Sequence, residues 1–206
     1  MAATASPYGL KAVNELGGLP YAGSTRSFLI DPAGYNTNIY NGTIVYVNSS
    51  GYLNIVTGTG ADGTTNSFPG SGTLTGAVGV FVGCTYVNAQ GQVIYSQYYP
   101  ANTTGVVSAY VIDDDRAVFQ VQANGSMAQT TLGNNVYLAN AQSTSTGSTT
   151  TGNSNVAVSS SSVTTTAAFR IIGFVNSTTS QVGDAYTDLL VKFNPGYHSY
   201  SNAVGV

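Results

Sequence analysis

Apolar and polar residues alternate with a period of two along most of this chain, which is the pattern of β-strands that bury one face. Helical periodicity is nearly absent, and only a short helical piece is expected within 127–135. The alternation predicts strands at residues 43–47, 52–57, 77–87, 92–99, 108–113, 117–122, 167–175 and 186–193. Short strands separated by turn residues are typical of an all-β barrel or sandwich, with a jelly-roll-like arrangement among the options.

Turn residues separate these segments. The sequences NSSG (48–51) and NAQG (88–91) end in the glycine that hairpin turns favour. A third connection, DDDR (113–116), holds three of the chain's eight acidic residues. A calcium loop would need a closing acid further along, and the chain's one glutamate is Glu15. We therefore predict a hairpin turn at 113–116, in which aspartate bonds its own backbone, and no ion site.

The chain divides into an N-terminal segment and one β-rich domain. Residues 1–24 contain prolines and glycines and little periodicity, which predicts an extended arm that does not pack in its own domain. Residues 25–206 form the predicted domain, with low-complexity loops near 58–76 and 142–166. The Ser/Thr-rich loop at 142–166 could be a disordered linker, but its Thr and Val content favours an ordered excursion.

Charge is scarce, and this excludes some partners. Charged residues make up 6% of the 206 residues and the formal net charge is −3, whereas about 25% is usual in soluble domains. Without a basic cluster, neither nucleic acid nor an anionic membrane is an expected partner. No segment approaches about 20 consecutive apolar residues, and the residues after Met1 lack the pattern of a secretory leader.

Candidate catalytic and metal-binding residues are few. A metal site needs more ligands than the single Cys84 and the single His198 supply. Cys84 is predicted to be a core residue, and His198 a solvated or interface residue. No nucleophile elbow, phosphate loop or paired carboxylates occur, so we expect no enzyme activity and no cofactor. One strand face is predicted to carry Val78, Val80, Val82, Cys84 and Tyr86.

Several apolar side chains are predicted to contact other subunits. In FRIIGFV (169–175), alternation places Ile172 and Phe174 opposite Phe169 and Ile171, so both faces of this strand are apolar. Such a strand is expected to be covered by another subunit or by a loop. In YSQYY (95–99), Tyr95 and Tyr99 are predicted on one face and Tyr98 on the other, so at least one ring should face outward. The remaining contact candidates lie in the arm and are Pro7, Tyr8 and Leu10.

Several segments together resemble a family of tailed-bacteriophage head decoration, or cement, proteins. They are ASPYGLKAVNELGGLPYAGSTRSFLI, VGVFVGCTYVNAQGQVIYSQYYPANT, AYVIDDDRAVFQVQ, FRIIGFVN and GDAYTDLLVKFNPGYHSY, in the order of that family. The resemblance implies a β-rich structural protein on the outer surface of the virion capsid, commonly a homotrimer. Its implied partner is the major capsid protein. Separately, the apolar residues of 1–24 predict that the arm packs against a neighbouring subunit or the capsid lattice and acts as a clamp.

Two other functions are compatible with the residues. A sugar- or receptor-binding β-domain of a phage fibre or surface layer would use exposed tyrosines for stacking, although the chain has no tryptophan. A β-fold hydrolase is the second alternative, and no motif supports it.

Overall fold

A computed structural model describes residues 4–60 and 76–202. The described strands are β1 (Lys11–Glu15), β2 (Arg26–Ile30), β3 (Ile44–Val47), β4 (Leu53–Ile55), β5 (Gly79–Val87), β6 (Val93–Ser96), β7 (Val107–Ile112), β8 (Ala117–Gln122), β9 (Asn135–Val136), β10 (Phe169–Phe174) and β11 (Asp188–Phe193). Short 3-10 turns occupy Gln129–Thr131 and Ser199–Ser201. The all-β prediction is confirmed, and each of the eight predicted segments contains a strand.

The strands form two antiparallel sheets. The five-stranded sheet has the order β1-β8-β11-β10-β9, and the six-stranded sheet has the order β2-β7-β5-β3-β4, with β6 also paired to β5. The long strand β5 has β7 along one side. On its other side, β3 pairs with its first residues and β6 with its last. The six-stranded sheet is therefore widest around β5, and β6 lies at one edge of it.

One apolar core joins the two sheets. Its largest cluster combines Ile44, Val80 and Ile112 of the six-stranded sheet with side chains of the five-stranded sheet such as Phe119 and Phe169. The arrangement is a sandwich of two open sheets. Burial of this shared core is the main favourable contribution to folding.

A second apolar cluster covers the other face of the six-stranded sheet. Val45, Phe81 and Val111 point into it, next to core residues that point the opposite way. Ile39 and Tyr99, which pair in an isolated bridge outside the strands, complete this cluster. The six-stranded sheet therefore has apolar side chains on both faces. Segments of the same chain cover the second cluster.

A β-bulge in β5 changes which side chains share a face. Phe81 pairs with Val111 and Gly83 with Tyr110, so Val82 is an extra residue. Gly83 adopts a φ of 150°, and a Cβ there would lie 2.9 Å from the carbonyl oxygen of Ser96. The prediction that Val78, Val80, Val82, Cys84 and Tyr86 share one face is wrong. Val80 lies in the inter-sheet core, whereas Cys84 lies in the second cluster.

The Ser/Thr-rich segment 142–166 is an ordered excursion, as the sequence favoured. Gln142 is buried, and its side-chain amide donates to the carbonyl oxygens of Ile44 and Val56. Val156 and Val158 lie in the inter-sheet core. Of the other predicted loop, 58–76, residues 61–75 lie outside the described part of the chain.

The N-terminal segment packs within its own domain, so the prediction of an unpacked arm is wrong. Strand β1 pairs with β8 at the edge of the five-stranded sheet. Leu10 is 2% exposed and lies in the inter-sheet core. The Gly9 and Leu10 amides donate to the carbonyl oxygens of Val156 and Gly42. Residues 4–6 at its start and most of 16–24 after β1 are exposed.

Candidate interaction surfaces

A row of side chains crosses one face of the six-stranded sheet, and no other element of the described residues covers it. Thr85 of β5 pairs with Tyr95 of β6 on one side and with Ser108 of β7 on the other, and Ser108 pairs with Leu29 of β2. Directly paired residues in antiparallel strands point to the same face. The row therefore extends across four strands.

Five of the exposed side chains of this face are apolar, while Ser27 of β2 is an exposed polar residue on the same face. Val87 of β5 pairs with Val93 of β6, two residues from the Thr85 pair and thus on the same face. Val106 directly precedes β7 and follows the same alternation. We call the set Leu29, Val87, Val93, Tyr95 and Val106 the exposed sheet face. Their exposure ranges from 49% for Leu29 to 80% for Tyr95.

The five-stranded sheet covers only one end of this face. Val80 and Ile112 pair with each other on the same side of the sheet and are buried in the inter-sheet core. Beyond the bulge the side chains lose this cover and become exposed. Contiguous exposed apolar side chains of this kind mark interaction surfaces. None of the five members carries a charge, which is typical of the centre of a protein–protein interface.

The predicted contact residues of the arm lie in different environments. Leu10 is in the protein's own core and is not available to a partner. Tyr8 is half-buried, and its hydroxyl donates to Asp188 Oδ1 at 3.3 Å. Burial raises the pKa of Tyr8, and the Asp188 charge raises it further. Pro7 is half-buried and remains a contact prediction.

A second bulge returns Phe174 to the core. In β10, Ile171 pairs with Val191, Gly173 with Leu190 and Phe174 with Leu189, which leaves Ile172 as the extra residue. Phe174 is half-buried and packs against the inter-sheet core, so the prediction that it lies opposite Phe169 and Ile171 is wrong, while its contact with a partner remains a prediction. Ile172 is half-buried, and its predicted contact with a partner remains a prediction.

The tyrosines of 95–99 occupy three environments. Tyr95 is on the exposed sheet face, which confirms that at least one ring faces outward. Tyr99 is buried in the second cluster, so it does not share a face with Tyr95 as predicted. Tyr98 is half-buried and stacks on Tyr40, with ring centroids 5.8 Å apart. Its role as a contact residue remains a prediction.

The aspartates at 113–116 form a turn, but the turn joins the two sheets and does not close a hairpin. The backbone amide of Arg116 donates to Asp114 Oδ1 at 2.8 Å, as predicted for a turn aspartate. Asp113 Oδ2 lies 2.9 Å from Arg26 Nε and accepts a hydrogen bond from the Tyr200 hydroxyl at 2.8 Å. Burial and the bond to Asp113 raise the pKa of Tyr200 to about 12. This cluster ties the turn to β2 and to the C-terminal segment.

His198 is buried, so the prediction of a solvated or interface histidine is wrong. Its exposure is 1%, and its Nδ1 accepts a hydrogen bond from the Tyr200 amide. Its ring packs edge-on against Phe193, with centroids 5.6 Å apart. Burial lowers the pKa of His198, and the charges of the 113–115 aspartates oppose this only in part.

Cys84 is a buried core residue, as predicted. Burial raises the pKa of its thiol to about 12, which disfavours the reactive thiolate. Within residues 4–60 and 76–202, no three His, Cys, Asp or Glu side chains are grouped closely enough to hold a metal ion.

A polar cleft lies beside β1 and β8. It has a volume of about 430 Å³ and is lined by Tyr8, Leu10, Lys11, Asn41, Gln97, Gln120 and Asn153. A second cleft of about 340 Å³ also uses Gln97 and is lined by Tyr95, Tyr98 and the 149–152 segment. The bridge between Asn41 and Asn153 holds the floor of the first cleft in place.

Four members of the exposed sheet face were not predicted as contact residues: Leu29, Val87, Val93 and Val106. The available signal was in QVIYSQ, where Val93, Ile94 and Tyr95 make both faces of β6 apolar. Two apolar faces were also predicted for the β10 segment, but a bulge there shifts the alternation of its side chains. The side-chain amides that line the cleft could not be predicted from a local sequence pattern, because they come from segments far apart in the sequence.

No protein-family model, curated protein or solved structure matches this chain. Among the described residues, the structure contains no helix with the length and apolar character needed to cross a membrane.

Proposed function

We propose that this protein is a structural virion component. It decorates the outer surface of a bacteriophage capsid and stabilises it through non-covalent contacts with the major capsid protein. The exposed sheet face carries the proposal, because a contiguous apolar surface gains free energy when a neighbouring protein covers it, at about 25 cal/mol per Å². The ordered sequence segments that resemble head decoration proteins support the same function.

The occupant of the exposed sheet face in this proposal is a second copy of the chain, in a closed homotrimer. Its members have no charge for an oppositely charged partner to recognise, whereas an uncharged surface can pack on an uncharged neighbour. In a ring of three, each copy presents this face to a different surface of the next copy. The three copies of the β-rich domain then contact the capsid together, which strengthens binding through avidity.

Self-association is tested by light scattering across a concentration series. We expect the wild-type mass to approach three chains, and Val93→Asp to shift the protein towards a monomer. The matched control is Leu132→Asp, which adds the same charge at an exposed leucine outside the exposed sheet face. A wild-type protein that stays monomeric at high micromolar concentration contradicts the trimer, and so does equal behaviour of both variants.

Capsid binding is tested separately by cosedimentation with undecorated heads of the phage that carries the gene. We expect the wild-type protein to pellet with the heads and to add density on their outer surface in electron micrographs. Protein that stays in the supernatant at every concentration would overturn the decoration function.

A second candidate function is a sugar- or receptor-binding domain of a fibre or surface layer. The observation that favours it is the pair of adjoining clefts lined by amides, hydroxyls and tyrosines.

A further inference from the structure

We propose that the two clefts that share Gln97 form one binding groove for a neutral saccharide chain. We call it the amide groove. The inference does not rest on self-association or on capsid binding, because the groove is separate from Val87, Val93 and Val106. Tyr95 alone belongs to both surfaces.

The lining groups match hydroxyl-rich ligands. The side-chain amides of Asn41, Gln97 and Asn153 make no hydrogen bond within the described part of the chain, and Gln97 and Asn153 are exposed to solvent. Each amide offers both a donor and an acceptor, and each sugar hydroxyl can do the same. Three such amides around one cleft can bind several hydroxyls of one ligand.

Backbone contacts hold together the chain segments that carry these side-chain amides. The Asn41 amide donates to the carbonyl oxygen of Gly152 at 2.9 Å, and the Ser154 amide donates to that of Asn41 at 2.8 Å. Gly152 also lies against Gln97, since a Cβ added at Gly152 would be 2.8 Å from Cβ of Gln97. The backbone positions of Asn41 and Gly152 are therefore set before a ligand binds, and no loop has to be ordered there on binding.

The shape of the groove favours a chain over a single small molecule. Each cleft falls in the lower part of the range of about 300–1,000 Å³ that is usual for ligand pockets. They meet at Gln97, and consecutive residues Gly152 and Asn153 line one cleft each. The ring of Tyr95 is 80% exposed at one end and can stack on the apolar face of a sugar ring.

The charge of the groove disfavours other ligand classes. Lys11 is the single basic residue among the lining residues of both clefts, so a phosphate or a polyanion would find one cation. Leu10 is the single aliphatic side chain among them, so the rings of Tyr8, Tyr95 and Tyr98 supply most of the apolar surface, and sugar rings can stack on such rings. A neutral, polyhydroxylated chain fits the donor and acceptor set best.

Calorimetric titration of the full-length protein tests this site. The probes are maltoheptaose, cellohexaose, and linear mannan and galactan oligosaccharides, with a heparin hexasaccharide as the anionic comparison. We expect at least one neutral probe to bind with a Kd below about 1 mM and heparin to bind more weakly. Gln97→Ala and Asn153→Ala should each weaken binding about tenfold, through the lost hydrogen bonds.

Two control variants separate this site from the rest of the molecule. Gln129→Ala removes an exposed amide outside the groove, and Val93→Asp changes the exposed sheet face; both should bind the saccharide as the wild type does. Gln97→Ala should keep the wild-type mass in light scattering. The proposal is overturned if no neutral probe binds, if binding is indifferent to Gln97 and Asn153, or if heparin binds most tightly through Lys11.

Discussion

The two ends of the six-stranded sheet differ in what covers the same face. At one end, Val80 and Ile112 pair across β5 and β7 and are buried beneath the five-stranded sheet. At the other end, Val87 lies in β5 and Val106 directly precedes β7. Both side chains are largely exposed. These four side chains are all apolar, so the difference between them lies in the layer above them.

This comparison separates two reasons for an apolar residue to be present. At the covered end, apolar side chains stabilise the fold of the single chain. At the exposed end they contribute little to that fold and are available to a neighbour. Substitutions in β5 and β7 on the covered side of the bulge should therefore change stability. Substitutions on the exposed side should change association.

The largest expected effect comes from shortening the apolar side chain at the covered end of β7, compared with the one that directly precedes its exposed end. Ile112→Ala should lower the free energy of unfolding by about 2–5 kcal/mol, because it leaves a cavity between the sheets. Val106→Ala should change it by no more than about 0.5 kcal/mol in the monomer, because its side chain is already solvated. Urea unfolding at low protein concentration measures both.

The same pair of variants can also show that both ends belong to one folding core. If Val106→Ala destabilises the monomer as much as Ile112→Ala, the exposed end is part of the folding core and is not an interaction surface. If Val106→Ala leaves the stability of the monomer unchanged but weakens self-association at high concentration, the covered end serves folding and the exposed end serves association.

Local pattern was enough to predict the strands but not the faces of all of them. Alternation located eight strands, because each has apolar residues on at least one face. The face assignments failed in β5 and β10, where bulges beside Gly83 and Gly173 shift the alternation by one residue. A glycine inside a strand is a known signal for a bulge. Applied to GFV in 173–175, it would have returned Phe174 to the core.

Long-range packing was beyond the sequence. The N-terminal segment has too little periodicity to reveal that Leu10 enters the inter-sheet core. Likewise, nothing near His198 in the sequence indicates that Phe193 and the C-terminal turn would enclose it. The amide groove has the same origin, since Asn41, Gln97 and Asn153 meet only after folding.

A smaller effect is expected where the N-terminal segment enters the covered end. Gly9 has a φ of +76°, and a Cβ there would lie 2.7 Å from Cβ of Ser154 and 2.9 Å from the Gly42 carbonyl oxygen. Gly9→Ala should therefore cost about 1–3 kcal/mol of unfolding free energy beyond the conformational strain, because the site is overpacked. Thermal and urea unfolding measure the loss.

Gly17→Ala is the matched control for that substitution. Gly17 also has a positive φ, of +111°, but nothing lies within 4 Å of an added Cβ. It should show only the strain of a left-handed alanine, about 1 kcal/mol. Equal losses in the two variants would mean that Gly9 is not closely packed and that the N-terminal segment adds little to the covered end.

The smallest expected effect is a pH dependence confined to the covered end. His198 pairs through a backbone bridge with Ala77, and burial holds its pKa below the ordinary value of 6.5. The unfolded chain therefore binds a proton at a higher pH than the folded chain, and the free energy of unfolding falls as the pH drops below about 6.5. His198 is the chain's single histidine, so His198→Asn, which keeps an acceptor for the Tyr200 amide, should flatten the decline in melting temperature between about pH 7 and pH 5. The exposed sheet face carries no histidine or carboxylate, so self-association should stay constant over the same range. A decline of equal slope in both proteins would assign the pH dependence to groups other than His198.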